Sequence, residues 1–474
     1  MNTNTSINFK TSKLNIKSAI QQNIGYSAIA IMAFLTIFSR IIKYLFNMML
    51  ARNLGDKIEL YGDFFVGIYT VQILAFILLL GSSMSSIVFM GKYINLKKVD
   101  RAIAYTRWNL RMVSAMFSAF LLLFSMFIMC IIMLHLFHIY AFEKHSLVIH
   151  MICFVPFFAI TTLLASYLLC NTHPYWYNFF LNGAIYFLGI CMLLANAYFF
   201  KVSLKTMEAL WFFSCLLLVI PALWAICVAF MKISKILIPS LNFFLLDTKY
   251  DWGKEDKGKE DKGKEDKWMR VSYKLIMQQL QLFILITVNL YVVELLPLDE
   301  AATGKYSAII TVGGTAFNLG ITVCQLLSAK ISTLVLKKAK EDLQNLINKI
   351  NLTIFLISLV VTIAFCCFSK QILGTFGKNY TDVTVPFMVY SIMMFLAAIT
   401  RFPGVITSFS NNEKYVTRII LLEVLILIIS GIPLTYFFGL TGAALSFGVV
   451  IVFDAVAFTR IVRKKVGVKP LTFI

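Results

Sequence analysis

Two cations interrupt an apolar run near the start of the chain, in TIFSRIIKYLFNMMLARNLG (residues 36–55). On a helix of 3.6 residues per turn, one polar stripe is formed by Thr36, Arg40, Lys43 and Asn47. A cation at the centre of a bilayer costs about 2.5 to 3.5 kcal/mol on insertion scales, so it needs water, an anion or a partner. The spacing therefore indicates a face that avoids lipid.

The stripe predicts a site for an anionic ligand. The acidic residues of the first half all fall in predicted loops or at span ends: Asp56, Glu59, Asp63, Asp100, Glu143 and Glu208. We therefore expect Arg40, Lys43 and Asn47 to face a wet cavity and bind substrate. A pyrophosphate fits, because a guanidinium holds phosphate oxygens bidentately and an ammonium adds charge. The alternative is that both cations extend toward the headgroups, since Lys43 lies about 10 Å from the span end.

A second polar stripe comprises Lys274, Gln278, Gln281 and Asn289. Amides donate and accept hydrogen bonds, as sugar hydroxyls do, so Gln278 and Gln281 are further candidates for substrate binding. Hydrogen bonding between neighbouring helices is the alternative.

Three isolated charges fall inside apolar runs of the second half: Arg401, Glu423 and Asp454. Counted from one membrane surface, all three lie at a depth of roughly 10 to 14 Å. Separate charges there would be costly, so we expect one cluster whose net negative charge a proton or sodium ion could neutralise. These residues are the candidates for ion coupling. A static ion pair is the alternative, and Asp454 could instead point toward the interface.

The elements that position these residues are membrane spans. The chain has 474 residues, 59% of them hydrophobic, and a mean hydropathy of +0.82, which describes an all-α polytopic membrane protein. Apolar runs of roughly 20 residues predict about twelve transmembrane helices. They cover residues 25–50, 61–89, 112–137, 147–169, 177–199, 209–231, 272–296, 306–329, 350–368, 384–408, 415–438 and 440–463.

The positive charges predict the topology. Most of the 43 Lys and Arg residues fall in the termini and the even-numbered loops, which places both ends in the cytoplasm. The net charge of +20 is then a topology signal and a contact with anionic membrane lipids, rather than a sign of nucleic-acid binding. The predicted organisation is a cytoplasmic segment (1–24), a six-helix lobe (25–231), a charged linker with GKEDK repeats (232–271), a second six-helix lobe (272–463) and a cytoplasmic tail (464–474).

The two halves repeat each other. INLKKVDRAIAYTRWNL (94–110) corresponds to LVLKKAKEDLQNLINKI (334–350), VPFF (155–158) to VPFM (385–388), and YFF recurs at 198–200 and 436–438. The separations stay within about 230 to 242 residues, as a duplication would give. Because each half has an even number of spans, the lobes are related by a parallel pseudo-two-fold axis and enclose a central cavity.

The sequence offers little for chemistry, and we expect no enzymatic activity, no catalytic residue and no cofactor. No G-x-x-x-x-G-K-[ST] phosphate loop is present. The nine cysteines lie singly or as one adjacent pair in apolar runs, and four histidines fall around one loop, which we read as an interfacial set, so no metal site is expected. A membrane glycosyltransferase or polymerase would be expected to have acidic outward loops, and none contains D-x-D.

The run SRIIKYLFNMMLARNLGDKIELYGDFF (39–65) resembles the opening of the Wzx-type polysaccharide (O-antigen) flippases of the multidrug/oligosaccharidyl-lipid/polysaccharide (MOP) exporter superfamily. ELLPLDEAATGKYSAI (294–309) and GLTGAALSFGVVIVFDAVAF (439–458) are similar to later elements of that family, so the resemblance covers most of the chain. It implies a MOP/MATE-like fold that moves polyprenyl-pyrophosphate-linked oligosaccharide across the bacterial inner membrane, together with other polysaccharide assembly proteins.

Relatives in the superfamily leave two further functions open. Lipid II flippases also open with a Ser-Arg pair, matched here by Ser39 and Arg40. A multidrug exporter for cations would need a buried carboxylate in the first lobe, and the sequence predicts none. The family often has an acidic residue near position 289, where this chain has Asn289, and the GKEDK repeat is a further departure.

Overall fold

The computed structural model describes residues 34–136 except 36, 145–241 except 172, 262–315, 339–409 and 413–472, together with positions 317, 318, 320, 323, 331 and 334. Within these ranges the chain forms helices and turns, with no strand. The helices are α1 (37–54), α2 (Ile58–Leu78), α3 (Ser82–Asn95), α4 (Val99–Leu136), α5 (Ser146–Ile152), α6 (Val155–Cys170), α7 (Pro174–Phe200), α8 (Met207–Leu241), α9 (Lys262–Leu295), α10 (Ala302–Gly313), α11 (Lys340–Cys367), α12 (Ser369–Gly374), α13 (Thr384–Thr400), α14 (Phe402–Phe409) and α15 (Glu413–Lys465).

These helices make the protein a multi-pass membrane protein. In the described part, seven helices are long and apolar enough to cross a bilayer, or eight if the bent pair α5–α6 is one span. Each of the predicted spans overlaps described helical residues. The last two form α15, which reverses at Gly439 (φ 57°, ψ −139°). Gly431 on one arm faces Ser446 on the other, so α15 is a helical hairpin with glycine at its turn.

Proline marks several helix boundaries, because it lacks the N–H that a first helical turn leaves unpaired. α6 has Pro156 in its first turn and α7 begins at Pro174. Some helices extend past the predicted spans. α4 begins at Val99, and α9 begins at Lys262, the last residue of the second GKEDK copy. The rest of the predicted linker, residues 242–261, lies outside the described residues, as do 1–33.

In each lobe one helix packs against several others. In the first lobe, α6 packs against α2, α3, α7 and α8, and in the second lobe α15 packs against α9, α13 and α14. The lobes meet mainly through α2 and α3, which contact α9 and α10. One apolar core runs through both lobes, and a smaller one joins α11, α13, α14 and the end of α15.

The bundle has two ends, which we name by the segments found there. The hairpin face carries the turns at 55–57, 201–206, 296–301, 375–383 and 439, and the linker face carries the turn at 96–98, the end of α8, the start of α9 and the end of α15. This assignment follows the alternating direction of successive spans.

The lobes are in close contact at the hairpin face. A Cβ on Gly62 of α2 would lie 2.7 Å from the main-chain nitrogen of Gly304 in α10, so the two helices cross backbone against backbone. Arg52 Nε donates to the carbonyl of Thr375 at 2.6 Å, and the hydroxyls of Tyr44 and Thr375 are 2.7 Å apart. These contacts close the hairpin face.

Near the linker face, α9 contacts the first lobe. Trp268 is 3% exposed, lies among aromatic side chains of α3 and α4, and donates from Nε1 to the Tyr93 hydroxyl at 3.2 Å. Ser272 Oγ donates to Ser85 Oγ at 2.7 Å. The main chain at Ser272 passes so close to Gly81 that a side chain there would collide with it. The start of α9 is therefore fixed to the first lobe.

Candidate functional site

The structure places Arg40 and Lys43 on α1 inside the first lobe; we call them, with Asn47, the cation site. Arg40 is partly buried, and its Nε is fully buried without a hydrogen-bond partner among the described residues. Lys43 Nζ lies 3.4 Å from the Tyr69 hydroxyl and 5.5 and 5.2 Å from the ring centres of Tyr69 and Tyr186. Tyrosine faces attract an ammonium without neutralising it.

Among the described residues, no carboxylate forms an ion pair with Arg40 or Lys43. Two acidic residues of the first lobe, Asp56 and Glu59, lie at the hairpin face. Within the described part of the chain, no carboxylate compensates these two positive charges in their partly buried setting. Such a pair favours an anion, and a guanidinium with a free N–H is suited to phosphate oxygens.

Asn47 is engaged within the lobe. It is 1% exposed, donates to the carbonyl of Lys43 at 2.7 Å and accepts from the Tyr61 hydroxyl at 3.3 Å. It also borders a cavity of about 10 Å³ beside Tyr69 and Tyr186, which has room for roughly one water. The structure thus gives Asn47 a role in fixing the helix turn that carries Lys43.

The second lobe contains a cluster of one cation, two carboxylates and an amide, which we call the charge cluster. Gln281 Nε2 donates to both oxygens of Glu423, at 3.0 and 2.9 Å, and Arg401 Nη1 donates to Gln281 Oε1 at 3.1 Å. Asp454 adjoins Glu423 and lies within electrostatic reach of Arg401. The structure brings the three predicted charges together and adds Gln281 between them.

Burial strengthens the electrostatic interactions among the groups of the charge cluster. Glu423 is 1% exposed, Gln281 is 6% exposed, and Asp454 Oδ1 is buried without a hydrogen-bond partner in the described part of the chain. Arg401 is partly buried and its guanidinium lies 6.0 Å from the Phe317 ring centre. Arg401 reaches Glu423 through the Gln281 amide instead of by a direct ion pair, because the amide can accept from one and donate to the other.

Arg401 lies at the junction of α13 and α14. Its main chain keeps helical dihedrals (φ −69°, ψ −31°), and the two helices belong to one apolar span, Lys378–Thr407. Pro403, two positions later, lacks an N–H and so leaves one helical hydrogen bond unmade at this junction. From this turn of the span the Arg401 guanidinium donates to Gln281 on α9.

Several predicted site residues are not described in full. Thr36 lies outside the described residues, and so do the side chains of Lys274 and Gln278 in α9. Asn289 is described: it donates to the carbonyl of Ala443 at 3.0 Å, and its own oxygen is buried and unpaired among the described residues. No group of His, Cys, Asp and Glu suited to a metal is found in the part of the chain that the structure describes.

Sequence reasoning overlooked the tyrosines of the cation site. Tyr69 and Tyr186 come from α2 and α7, far from α1 in sequence, and neither is part of a polar stripe. It also assigned Gln281 to substrate, whereas the structure places the Gln281 amide between Arg401 and Glu423. The one available signal was the depth of Gln281 in its predicted span, which is close to that of the three charges.

No family model and no curated protein matches the sequence. The structure is similar to solved transporters of the MOP superfamily. An inward-facing multidrug resistance MATE family transporter aligns with a TM-score of 0.70 at 12% identity, over 92% of this chain and 98% of the other. An outward-facing multidrug resistance MATE family transporter aligns with a TM-score of 0.60 at 13% identity, over 94% of this chain and 96% of the other. The lipid II flippase MurJ in an inward closed conformation aligns with a TM-score of 0.57 at 13% identity, over 92% of this chain and 87% of the other.

The fold is therefore that of the MOP-superfamily transporters: an all-helical membrane bundle of two lobes. This confirms the predicted fold class. The cation site and the charge cluster are features of this chain, because likeness at such low identity concerns the fold alone.

Proposed function

We propose that this protein is a flippase that moves polyprenyl-pyrophosphate-linked oligosaccharide, such as an O-antigen repeat unit, across the bacterial inner membrane by alternating access. The linker face is then the cytoplasmic face, with both termini there, as the positive charges favour. The resemblance of residues 39–65 to polysaccharide flippases supports this substrate class. The similarity of the fold to that of a lipid II flippase is also consistent with this substrate class.

The observation that carries the proposal is the uncompensated pair Arg40 and Lys43. A lipid-linked pyrophosphate brings two adjoining anionic groups into the bundle, and these match a guanidinium with an unpaired buried Nε beside an ammonium. A carrier of cationic small molecules would be repelled by the same pair. Binding at Arg40 would supply the anion that the cation site lacks among the described residues.

The lobe contacts favour entry from the linker face. The hairpin face is closed by Gly62 against Gly304 and by Arg52 and Tyr44 against Thr375. A bundle closed on that side admits its cargo from the other, which is where a lipid-linked precursor made in the cytoplasm would arrive.

The charge cluster is our candidate for energy coupling. Glu423 and Asp454 adjoin with one arginine nearby, so the three groups sum to a single negative charge when both carboxylates are ionised. A proton or sodium ion would neutralise it. Because Gln281 lies on α9 and Glu423 on α15, neutralisation would change the contact between these helices. The lobes would then reorient with the ion gradient as the energy source, without a cofactor.

The test uses purified protein in proteoliposomes. Translocation is compared for a polyprenyl-pyrophosphate oligosaccharide, a polyprenyl monophosphate sugar and a polyprenol without phosphate. We expect Arg40→Ala to remove two charge-assisted hydrogen bonds, about 3 kcal/mol together, and so to reduce apparent affinity about 100-fold. Arg40→Lys keeps the charge and should retain part of the activity.

Arg460→Ala is the matched control, because Arg460 is an exposed arginine at the linker end of α15. It should transport like the parent. Near-normal transport by Arg40→Ala at equal membrane abundance would rule out a cargo-binding role for Arg40. Transport of a lipid II analogue, or of a small organic cation, in preference to the oligosaccharide lipid would assign the protein to one of those substrate classes instead. Turnover of any sugar donor would contradict the expected absence of enzymatic activity.

Partners follow from the cargo. Membrane lipids surround the bundle, and we expect the flippase to receive its substrate from, and pass it to, other polysaccharide assembly proteins.

A further inference from the structure

The chain turns back after α15 and covers the linker end of α11. The N–H groups of Val466 and Gly467 donate to the carbonyl of Val462 at 2.9 and 3.1 Å, which closes the helix end. Gly467 has φ of +78°, and a Cβ there would lie 3.0 Å from Lys340 Nζ. Glycine therefore permits the reversal. We call residues 466–472 the strap.

Side-chain amides of α11 hold the strap by its main chain. Gln344 Nε2 donates to the carbonyl of Lys469 at 2.9 Å and to the Thr472 hydroxyl at 2.8 Å, and Gln344 Oε1 accepts from the N–H of Lys469 at 2.8 Å. One amide thus satisfies both main-chain groups of Lys469, as a neighbouring strand would.

Two asparagines continue this arrangement along the helix. Asn351 Nδ2 donates to the carbonyls of Pro470 and Thr472 at 2.8 and 2.9 Å, and the Thr472 hydroxyl donates to Asn348 Oδ1 at 2.6 Å. Positions 344, 348 and 351 share one face of a helix. This face therefore recognises an extended segment, and the strap occupies it.

The strap also places a side chain beside the helix turn that carries Arg401. Val468 is 4% exposed and belongs to the same apolar cluster as Ala398, Phe402 and Ile406. Ala398 lies about one turn before Arg401, Phe402 follows Arg401 directly, and Ile406 lies about one turn further on. Val468 thus packs in the core around the helix turn that carries Arg401.

The first lobe covers the corresponding surface differently. There the linker end of α4, the repeat-mate of α11, is covered by the helical end of α8: Arg107 Nη2 donates to the carbonyl of Pro239 at 2.9 Å, and Ser240 Oγ donates to that of Ile103 at 3.3 Å. The second lobe uses an extended segment held by amides. The difference places the strap where the second lobe carries its charge cluster.

We propose that the strap is a positioning element for Arg401: it packs against the α13–α14 junction and holds that helix turn where Arg401 stays hydrogen-bonded to Gln281 beside Glu423 and Asp454. This inference rests on the proposed function only in that the charge cluster is our candidate for ion coupling. Its geometry does not depend on the cargo.

The first measurement tests how the strap is held. Val468→Cys, in a background without the native cysteines, is labelled with a maleimide in purified full-length protein. With the amides removed by Gln344→Met and Asn351→Leu, we expect labelling at least about tenfold faster, because the strap opens more often. Asn345→Leu, at an exposed position of the same helix, is the matched control and should label like the parent. Equal labelling of all three would overturn the proposal.

The second measurement tests whether the strap positions Arg401. The charged groups of the cluster are Arg401, Glu423 and Asp454, and the pH profile of thermal unfolding reports their interaction. We expect Arg401→Met to move the midpoint of that profile by about one pH unit. The Gln344→Met, Asn351→Leu variant should move it in the same direction, and Asn345→Leu should leave it unchanged.

If the strap only stabilised the fold, its loss would lower the unfolding temperature at every pH without moving the midpoint of the pH profile. That result would overturn the proposal. An Arg401→Met profile identical to that of the parent would overturn it as well. Neither measurement uses transport, so a failure of the flippase assay and a failure of the strap proposal are separate results.

Discussion

Gly62 and Gly304 set how closely the two lobes approach at the hairpin face, and a single methyl group tests this. A Cβ on Gly62 would lie 2.7 Å from the nitrogen of Gly304 and 3.2 Å from its Cα. A Cβ on Gly304 would collide with the carbonyl oxygen of Ile58. Gly62→Ala therefore forces α2 and α10 apart only while the hairpin face is closed.

The expected destabilisation of the closed state follows from the overlap between the added Cβ of residue 62 and the main chain of Gly304. A contact of 2.7 Å is about 0.8 Å inside the roughly 3.5 Å at which non-bonded carbon atoms attract. Overpacking of this kind costs about 1 to 3 kcal/mol. Because the cost falls on the closed state alone, a value near 2 kcal/mol would raise the ratio of open to closed hairpin face about 30-fold.

The assay measures exposure of a buried position behind the contact. Ser307 lies one turn from Gly304 and is fully buried, so Ser307→Cys, without the native cysteines, reports opening by its rate of labelling with a membrane-impermeant maleimide. We expect Gly62→Ala to increase that rate by one to two orders of magnitude, about 10- to 100-fold. Gly91→Ala is the matched control, since a Cβ there would meet nothing within 4 Å.

Equal labelling of the Gly62→Ala and Gly91→Ala proteins would refute the reasoning, because it would show that the glycine contact does not hold the hairpin face closed. Increased labelling in both would indicate a general loss of helix stability instead.

Three further predictions concern the second lobe and the linker. If the charge cluster couples transport to an ion gradient, Glu423→Gln and Asp454→Asn should give stable proteins whose translocation in proteoliposomes ignores an imposed proton or sodium gradient; variants that follow the gradient like the parent would contradict this role. Trp268→Ala should lower the stability of the bundle by about 3 to 5 kcal/mol, measured by thermal unfolding in detergent, because a large buried ring is lost; Met269→Ala, at an exposed neighbour, should change it little. Deleting residues 253–261, before the start of α9, should leave translocation near the parent level, since a charged segment of this composition connects lobes without packing; lost activity at normal expression would give the segment a further role.

Much of the fold was predictable because it depends on local hydrophobicity and length. Apolar runs of about 20 residues predict spans whatever their neighbours are, and each predicted span overlaps helical residues in the part of the chain that the structure describes. The helical hairpin at Gly439 was predicted from two apolar runs with glycines between them. The break at Gly81 inside a predicted span was not, because a broken helix and a straight one have the same hydropathy.

The candidate sites divide in the same way. The grouping of Arg401, Glu423 and Asp454 could be expected from depth alone, since each charge in an apolar run needs compensation. The insertion of Gln281 between Arg401 and Glu423 could not, because the rotation of α9 about its axis depends on packing with α15.

The sequence by itself determined that this is a polytopic helical membrane protein with two repeated halves and cations in its first span. Those properties follow from the transfer of side chains into a bilayer and from the period of a helix, which act on each segment separately. Tertiary structure alone decided that Lys43 lies between Tyr69 and Tyr186, that Trp268 joins α9 to the first lobe, and that the strap lies on Gln344 and Asn351. Each of these contacts joins residues remote in sequence, and its geometry is set by how whole helices pack.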